Sequence, residues 1–186
     1  MLPDPDDAAA LYAALPEGER YKGFWTRVWP SALALSEYIV NNPEHTTNKR
    51  VWEIAAGLGV PSLFAAKNAS SVICSDYIGD AVDNMVESAR LNNFKNFEAI
   101  EWDFTKEDIR PECDTVLISD ANYDGNQNQE LASLILDELK KGRTIILSTP
   151  NRLSGMGFLD AILPYCFYKS VNENSGVFAA ALGGNV

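Results

Sequence analysis

Basic residues are scarce in this sequence. Fifteen lysines and arginines stand against 26 aspartates and glutamates in 186 residues, a formal charge of −11. No lysine–arginine cluster is present to neutralise phosphates, so nucleic acid is not expected as a partner. An acidic surface suits a basic protein or a cationic small molecule instead. The single histidine, His45, sits in a polar stretch and reads as a solvated loop residue. That leaves both a Ser-His-Asp triad and a zinc site without their usual groups. Cys74, Cys113 and Cys166 are widely spaced and lack metal-ligand rhythm, so no metal is expected. Cys74 lies in an apolar, strand-like run and reads as a small buried hydrophobe. No apolar run approaches the ~18 residues of a membrane span. The acidic N-terminus lacks the basic-then-apolar order of a secretory signal. The expectation is a cytoplasmic monomer that binds neither membrane nor nucleic acid.

What is present is an ordinary globular composition, 46% hydrophobic and 22% charged. The length suits one well-buried domain and is short for two. We expect a single domain over 1–186, with 1–45 a helical cap and 46–186 a ligand-binding core. The chain alternates. A short helix over 6–15 precedes the aromatic run from Phe24 to Trp29, which can be core packing or a lid over a pocket. A helix follows over 32–40. Strands are expected at 51–54, Ser71–Asp76, 97–102, 114–119 and 143–148. The helices between and after them run over 61–68, 79–94, 128–139 and 158–165, their apolar residues recurring at helical spacing. A closing hairpin joins 167–171 to Val177–Leu182 through a turn at 172–176. This order implies an α/β fold with a mostly parallel sheet, helices on both faces and one antiparallel strand.

The richest stretch is Val51-Trp-Glu-Ile-Ala-Ala-Gly57-Leu-Gly59-Val-Pro61. A strand, a glycine turn and a proline-led helix place backbone N–H groups where a polar or anionic ligand can sit. Asp76 follows Gly57 by 19 residues, close to the ~20 expected of an acid that holds a ribose diol. The alternative is an aspartate capping the next helix. Asp103 ends the third strand and Asp120 the fourth. In a doubly wound sheet, ligands bind at the strands' C-terminal ends beside the switch between strands one and four. That rule gathers the turn, Asp76, Trp102-Asp103 and Asp120–Tyr123 at one place. Core packing alone does not require an acid at each strand end.

The order Trp29-Pro30-Ser31, Glu53-x-x-x-Gly57-x-Gly59, Asp76, Trp102-Asp103 and Asp120-x-x-Tyr123 resembles the class I S-adenosylmethionine-dependent methyltransferases. Within these it is most similar to the methyltransferase-16 group, which includes many protein lysine methyltransferases. The resemblance runs from about residue 23 to the C-terminus. It implies a Rossmann-like, doubly wound, seven-stranded sheet closed by an antiparallel hairpin. It also implies S-adenosyl-L-methionine as cofactor. Glu53, Ala55, Gly57 and Gly59 would hold its methionine part, Asp76 its ribose, and Asp103 with Trp102 its adenine. Trp29 would close over it, with Tyr77, Ser119 and Ala121 alongside. Asp120 and Tyr123 would face the methyl acceptor, a protein lysine or a small amine. Turn hydrogen bonding is the alternative role for Asp120 and Asn122.

The sequence departs from the group's pattern at Ala55, which stands where a glycine is usual, and at Leu58. The chain is also short for the group. An amide- or base-nitrogen methyltransferase would carry Asn-Pro-Pro-Tyr where this chain has Asp120-Ala-Asn-Tyr123. A nicotinamide reductase would want a third glycine in the turn and a Tyr-x-x-x-Lys pair, and both are missing. A non-catalytic cofactor-binding scaffold remains as a third reading.

Overall fold

The computed structural model describes residues 5–106, 109–123, 125–150, 156–172 and 176–183. After α1 (Pro5–Ala14), a 3-10 strap (Glu17–Thr26) leads into α2 (Pro30–Asn41). The alternating region comprises β1 (Arg50–Ile54), α3 (Val60–Ala65), β2 (Ser71–Asp76), α4 (Gly79–Leu91), β3 (Phe97–Glu101), β4 (Thr115–Ser119), α5 (Asn128–Lys140) and β5 (Thr144–Pro150). The chain closes with α6 (Met156–Ile162), β6 (Cys166–Asn172) and β7 (Val177–Leu182). The seven strands form one sheet in the order β3-β2-β1-β4-β5-β7-β6. β1 pairs in parallel with both β2 and β4, while β7 runs antiparallel to β5 and β6. The expected mostly parallel sheet and C-terminal hairpin are therefore present. Residues 173–175 of the expected hairpin turn lie outside the described residues.

Alternation of side chains along each strand divides the core in two. Trp52, Val116, Ile118, Ile145 and Leu147 point to the face covered by α5 and α6. Val51, Leu117 and Ile146 point to the other face, under Leu35, Tyr38 and Ile39 of α2 and Ala65 of α3. Strands buried on both faces explain why β4 and β5 read as near-continuous apolar runs, while β1, buried likewise, carries Glu53. α2 is thus a core element, and the expected boundary between a cap at 1–45 and a core at 46–186 does not coincide with a packing boundary. His45 is half-buried, its ring stacked on Tyr38 with Nε2 at 3.2 Å from the Tyr38 hydroxyl. The loop histidine expected to be solvated is instead packed there.

Several boundaries shift for local reasons. α4 ends at Leu91, short of the expected 94, because Asn93 turns left-handed (φ 59) and Phe94 N–H returns to Ala89 O. Asparagine tolerates that conformation better than most residues. α3 begins at Val60, making Pro61 its second residue, because Gly59 at φ 65 is the N-cap. Among the described residues no helix is long and apolar enough to cross a membrane.

Candidate active site

The C-terminal ends of β1, β2 and β4 open onto one pocket, and the strap forms its opposite wall. Trp29, Ala55, Gly57, Asp76, Tyr77, Ser119, Asp120 and Tyr123 line it, all of them singled out from the sequence. Lys22, Phe24 and Trp25 of the strap, Arg27 just after it and Ile78 also line it. The sequence leaves the run from Phe24 to Trp29 open as core packing or a lid over a pocket, and does not single out Lys22 or Ile78. The aromatic density of 24–29 was the available signal. The enclosed volume is about 90 Å³, below the ~300 Å³ at the small end of ligand pockets. A cofactor-sized ligand therefore does not fit this conformation without the pocket walls parting.

The turn after β1 is built from left-handed residues. Ala55, Gly57 and Gly59 have φ of 51, 56 and 65. Gly59 is needed for space as well, because a Cβ there would lie 2.9 Å from Cys74 Sγ and from Met85 Sδ. A Cβ at Gly57 would sit 3.4 Å from Trp25 Cα, so the strap's backbone rests against the turn. Gly59 itself does not line the pocket; it lets the turn pack on β2 and α4.

Asp76 ties this turn to α4. Its Oδ2 accepts Gly57 N–H at 2.8 Å and its Oδ1 accepts Ile78 N–H at 3.0 Å. Burial raises its pKa against these bonds. The Ile78 bond is a local turn contact at the residue flanking α4 and not a side-chain cap of that helix. The carboxylate, which also accepts from Tyr77 N–H, forms part of the pocket wall.

Glu53 departs from its expected place. Its side chain is 0% exposed and outside the pocket, beneath the turn, where Oε2 accepts Ser62 N–H at 2.9 Å. Burial pushes its carboxyl up to about 8, with the Ser62 hydrogen bonds opposing. Enclosed there, it does not line the pocket in this conformation. Trp102 is likewise a core residue. It stands edge-on to Trp52 at 4.9 Å and donates its indole N–H to Ile109 O. Asp103 is half-buried and accepts from Thr105 Oγ1 and Lys106 Nζ, both at 2.6 Å. Burial works upward on its pKa, but these bonds outweigh it and lower the value. Ala121 is buried under the loop. Glu53, Gly59, Trp102, Asp103 and Ala121 therefore do not reach the pocket surface in this conformation.

The loop after β4 holds the remaining pair. Asp120 has φ 54, and its N–H donates to Ser148 O at 2.9 Å. The described non-glycine residues at positive φ are Asn48, Ala55, Asn93 and Asp120; the two that are not asparagine both line the pocket. Asn122 is locked from behind, its Oδ1 accepting Thr149 Oγ1 at 2.5 Å. Tyr123 meets Phe24 edge-on at 5.7 Å, and Phe24 meets Trp29 at the same distance. The Trp29 indole N–H donates to Phe24 O at 3.0 Å, fixing this aromatic wall.

Compared with known proteins, residues 16–162 match the family model described as lysine methyltransferase. The chain belongs to the lysine methyltransferase family. Its curated relatives include the human electron transfer flavoprotein beta subunit lysine methyltransferase, 27% identical over 87% of this chain and 64% of that protein. Histone-arginine methyltransferase METTL23 of Xenopus laevis is 30% identical over 56% of this chain and 47% of its own length. The chain thus spans about half to two thirds of these relatives. Among solved structures, the 16S rRNA N2 G1207 methyltransferase of T. thermophilus, in complex with AdoMet and guanosine, superposes with a TM-score of 0.67. It is 16% identical, covering 86% of this chain and 44% of that one. The ribosomal protein L11 methylase of Lactobacillus delbrueckii gives 0.65 at 16% identity, covering 83% and 79%. These two likenesses are of fold: this family member has the Rossmann-like methyltransferase architecture.

Proposed function

We propose that the protein is an S-adenosylmethionine-dependent N-methyltransferase whose acceptor is a nitrogen of a protein side chain, lysine first. The observation that carries this is the meeting, in one pocket, of the Gly57 turn, Asp76, and an Asp120 held at positive φ opposite an aromatic wall. The residues suit the cofactor. Gly57 presents backbone without a Cβ to the pocket, and Asp76 stands in the pocket wall as a hydrogen-bond acceptor for a diol. When bound, S-adenosylmethionine supplies a methyl group on a positively charged sulfur, open to in-line displacement.

The chain's own residues then have separate tasks. Asp120 accepts a hydrogen bond from the acceptor amine and orients it. It does not act as a strong base, because a carboxylate beside an amine raises the amine's pKa from ~10.4. Desolvation between Phe24, Trp29 and Tyr123 works the other way and favours the neutral nucleophile. The face of Tyr123 attracts positive charge near the transferring methyl. The METTL23 relatives favour arginine as the second acceptor to test. Three unpaired cysteines suit the reducing cytoplasm expected for this reading.

Calorimetric titration with S-adenosylmethionine, with NADH as control, tests the cofactor; absence of heat at high micromolar concentration refutes it. Labelled methyl transfer into protein extract, followed by hydrolysis to amino acids, tests the acceptor. Asp120→Ala is expected to lower transfer by about 10²-fold or more while leaving cofactor affinity unchanged. Unchanged transfer removes Asp120 from the reaction.

A further inference from the structure

Acid is abundant in this chain, and four of the five arginines whose side chains are described pair with it. Arg50 pairs with Asp114 at 2.8 Å, Arg90 with Glu87 at 2.6 Å, Arg110 with Glu138 at 3.1 Å, and Arg143 with Glu138. Arg27 pairs with no carboxylate among the described residues, yet it lines the pocket. Its guanidinium lies 5.3 Å from the centroid of the Tyr12 ring, which holds it without neutralising it. Its backbone is anchored too: Arg27 N–H donates to Phe24 O at 3.3 Å, and Thr26 Oγ1 donates to Gly23 O at 2.9 Å. Lys22 lines the same wall but is bridged to Glu19 at 2.6 Å. Asp76 and Asp120 line the sheet side of the pocket, and Arg27, immediately after the strap, lines the side facing them. An enclosed space with opposite charges on its two walls is complementary to a zwitterion.

We propose that Arg27 is a carboxylate-binding residue of this pocket, and that the carboxylate it takes is that of the cofactor's methionine part. This rests on the cofactor reading above and names a contact the sequence motifs did not supply. The placement follows from the strap. Trp25, two residues before Arg27, rests its backbone on the Gly57 turn, beside which the methionine part is expected. Glu53 is enclosed beneath that turn, outside the pocket. An arginine fork meeting a carboxylate forms charge-assisted hydrogen bonds that strengthen as the strap excludes water.

The test is calorimetric binding of two compounds to the full chain: S-adenosylhomocysteine, and S-adenosyl-3-thiopropylamine, the same molecule without its carboxylate. Arg27→Ala is expected to bind S-adenosylhomocysteine about tenfold more weakly than wild type, the worth of one charged hydrogen bond. It should bind the decarboxylated compound as wild type does. Arg27→Lys should recover most of the loss. Arg27 is exposed, so the thermal midpoint should be the same in all three proteins and serves as the folding control. Equal affinity of wild type and Arg27→Ala for S-adenosylhomocysteine overturns the proposal, and would mean that any carboxylate met by Arg27 belongs to the acceptor. Equal weakening for both compounds overturns it as well. A wild type that binds neither compound refutes the cofactor reading itself, a result distinct from these two.

Discussion

Replacing Glu53 by glutamine should change how stability depends on pH. The Glu53 carboxyl is 0% exposed, and burial raises its pKa from the ordinary 4.5 to about 8. Between those values the folded protein holds a proton that the unfolded chain releases. Stability therefore falls as pH rises through the window, by up to about 1.4 kcal/mol per pH unit. From pH 5 to pH 8 the loss from this one group is about 3–4 kcal/mol. Glutamine can still accept Ser62 N–H through its amide oxygen and does not titrate. Asp76, also raised by burial, is present in both proteins and cancels in the comparison. Urea unfolding at half-unit pH steps, with constant m-values, should show Glu53→Gln and wild type nearly equal at pH 5. By pH 8 the variant should be the more stable by about the amount above. Parallel stability curves across the range would mean that the carboxyl titrates alike in both states, and would refute the argument from burial.

Two further predictions concern the glycine turn. Ala55→Gly relieves a left-handed alanine worth about 1–2 kcal/mol, against ~0.4–1 kcal/mol of added unfolded-state entropy. It should leave stability equal or up to about 1 kcal/mol higher; a drop in thermal midpoint would contradict the strain. Gly59→Ala meets both a positive φ and the 2.9 Å contacts with Cys74 and Met85, and should cost about 2–4 kcal/mol. An unchanged urea midpoint would show that β2 and α4 give way freely around the turn.

The topology was legible because apolar runs and turn residues alternate strictly enough to define βα units. Handedness and the switch-point rule then bring the ends of β1, β2 and β4 together. The same logic located Asp76, Asp120 and Tyr123 at the pocket. It could not distinguish an acid beside the pocket from one beneath it. Glu53 and Asp76 look equivalent as carboxylates near a glycine turn. The last residue of β2 faces the opening, whereas Glu53, one residue before the end of β1, turns under α3 to meet Ser62 N–H. Trp102 was assigned to a ligand ring, but its nearest aromatic neighbour is Trp52, from a strand distant in sequence. The buried contact of Glu138 with Arg143 was equally invisible: Lys140-Lys141-Gly142 read only as a helix end.

The sequence by itself determined the order of elements, the glycine turn and the acids at strand ends, because each is written in local pattern: side-chain period, φ tolerance and spacing. Only the tertiary structure decided which of those acids face a ligand, and it brought the strap across the sheet so that Phe24, Trp25 and Arg27 form the second wall. Those contacts join segments far apart in the chain, and no local pattern encodes the distance at which their side chains meet.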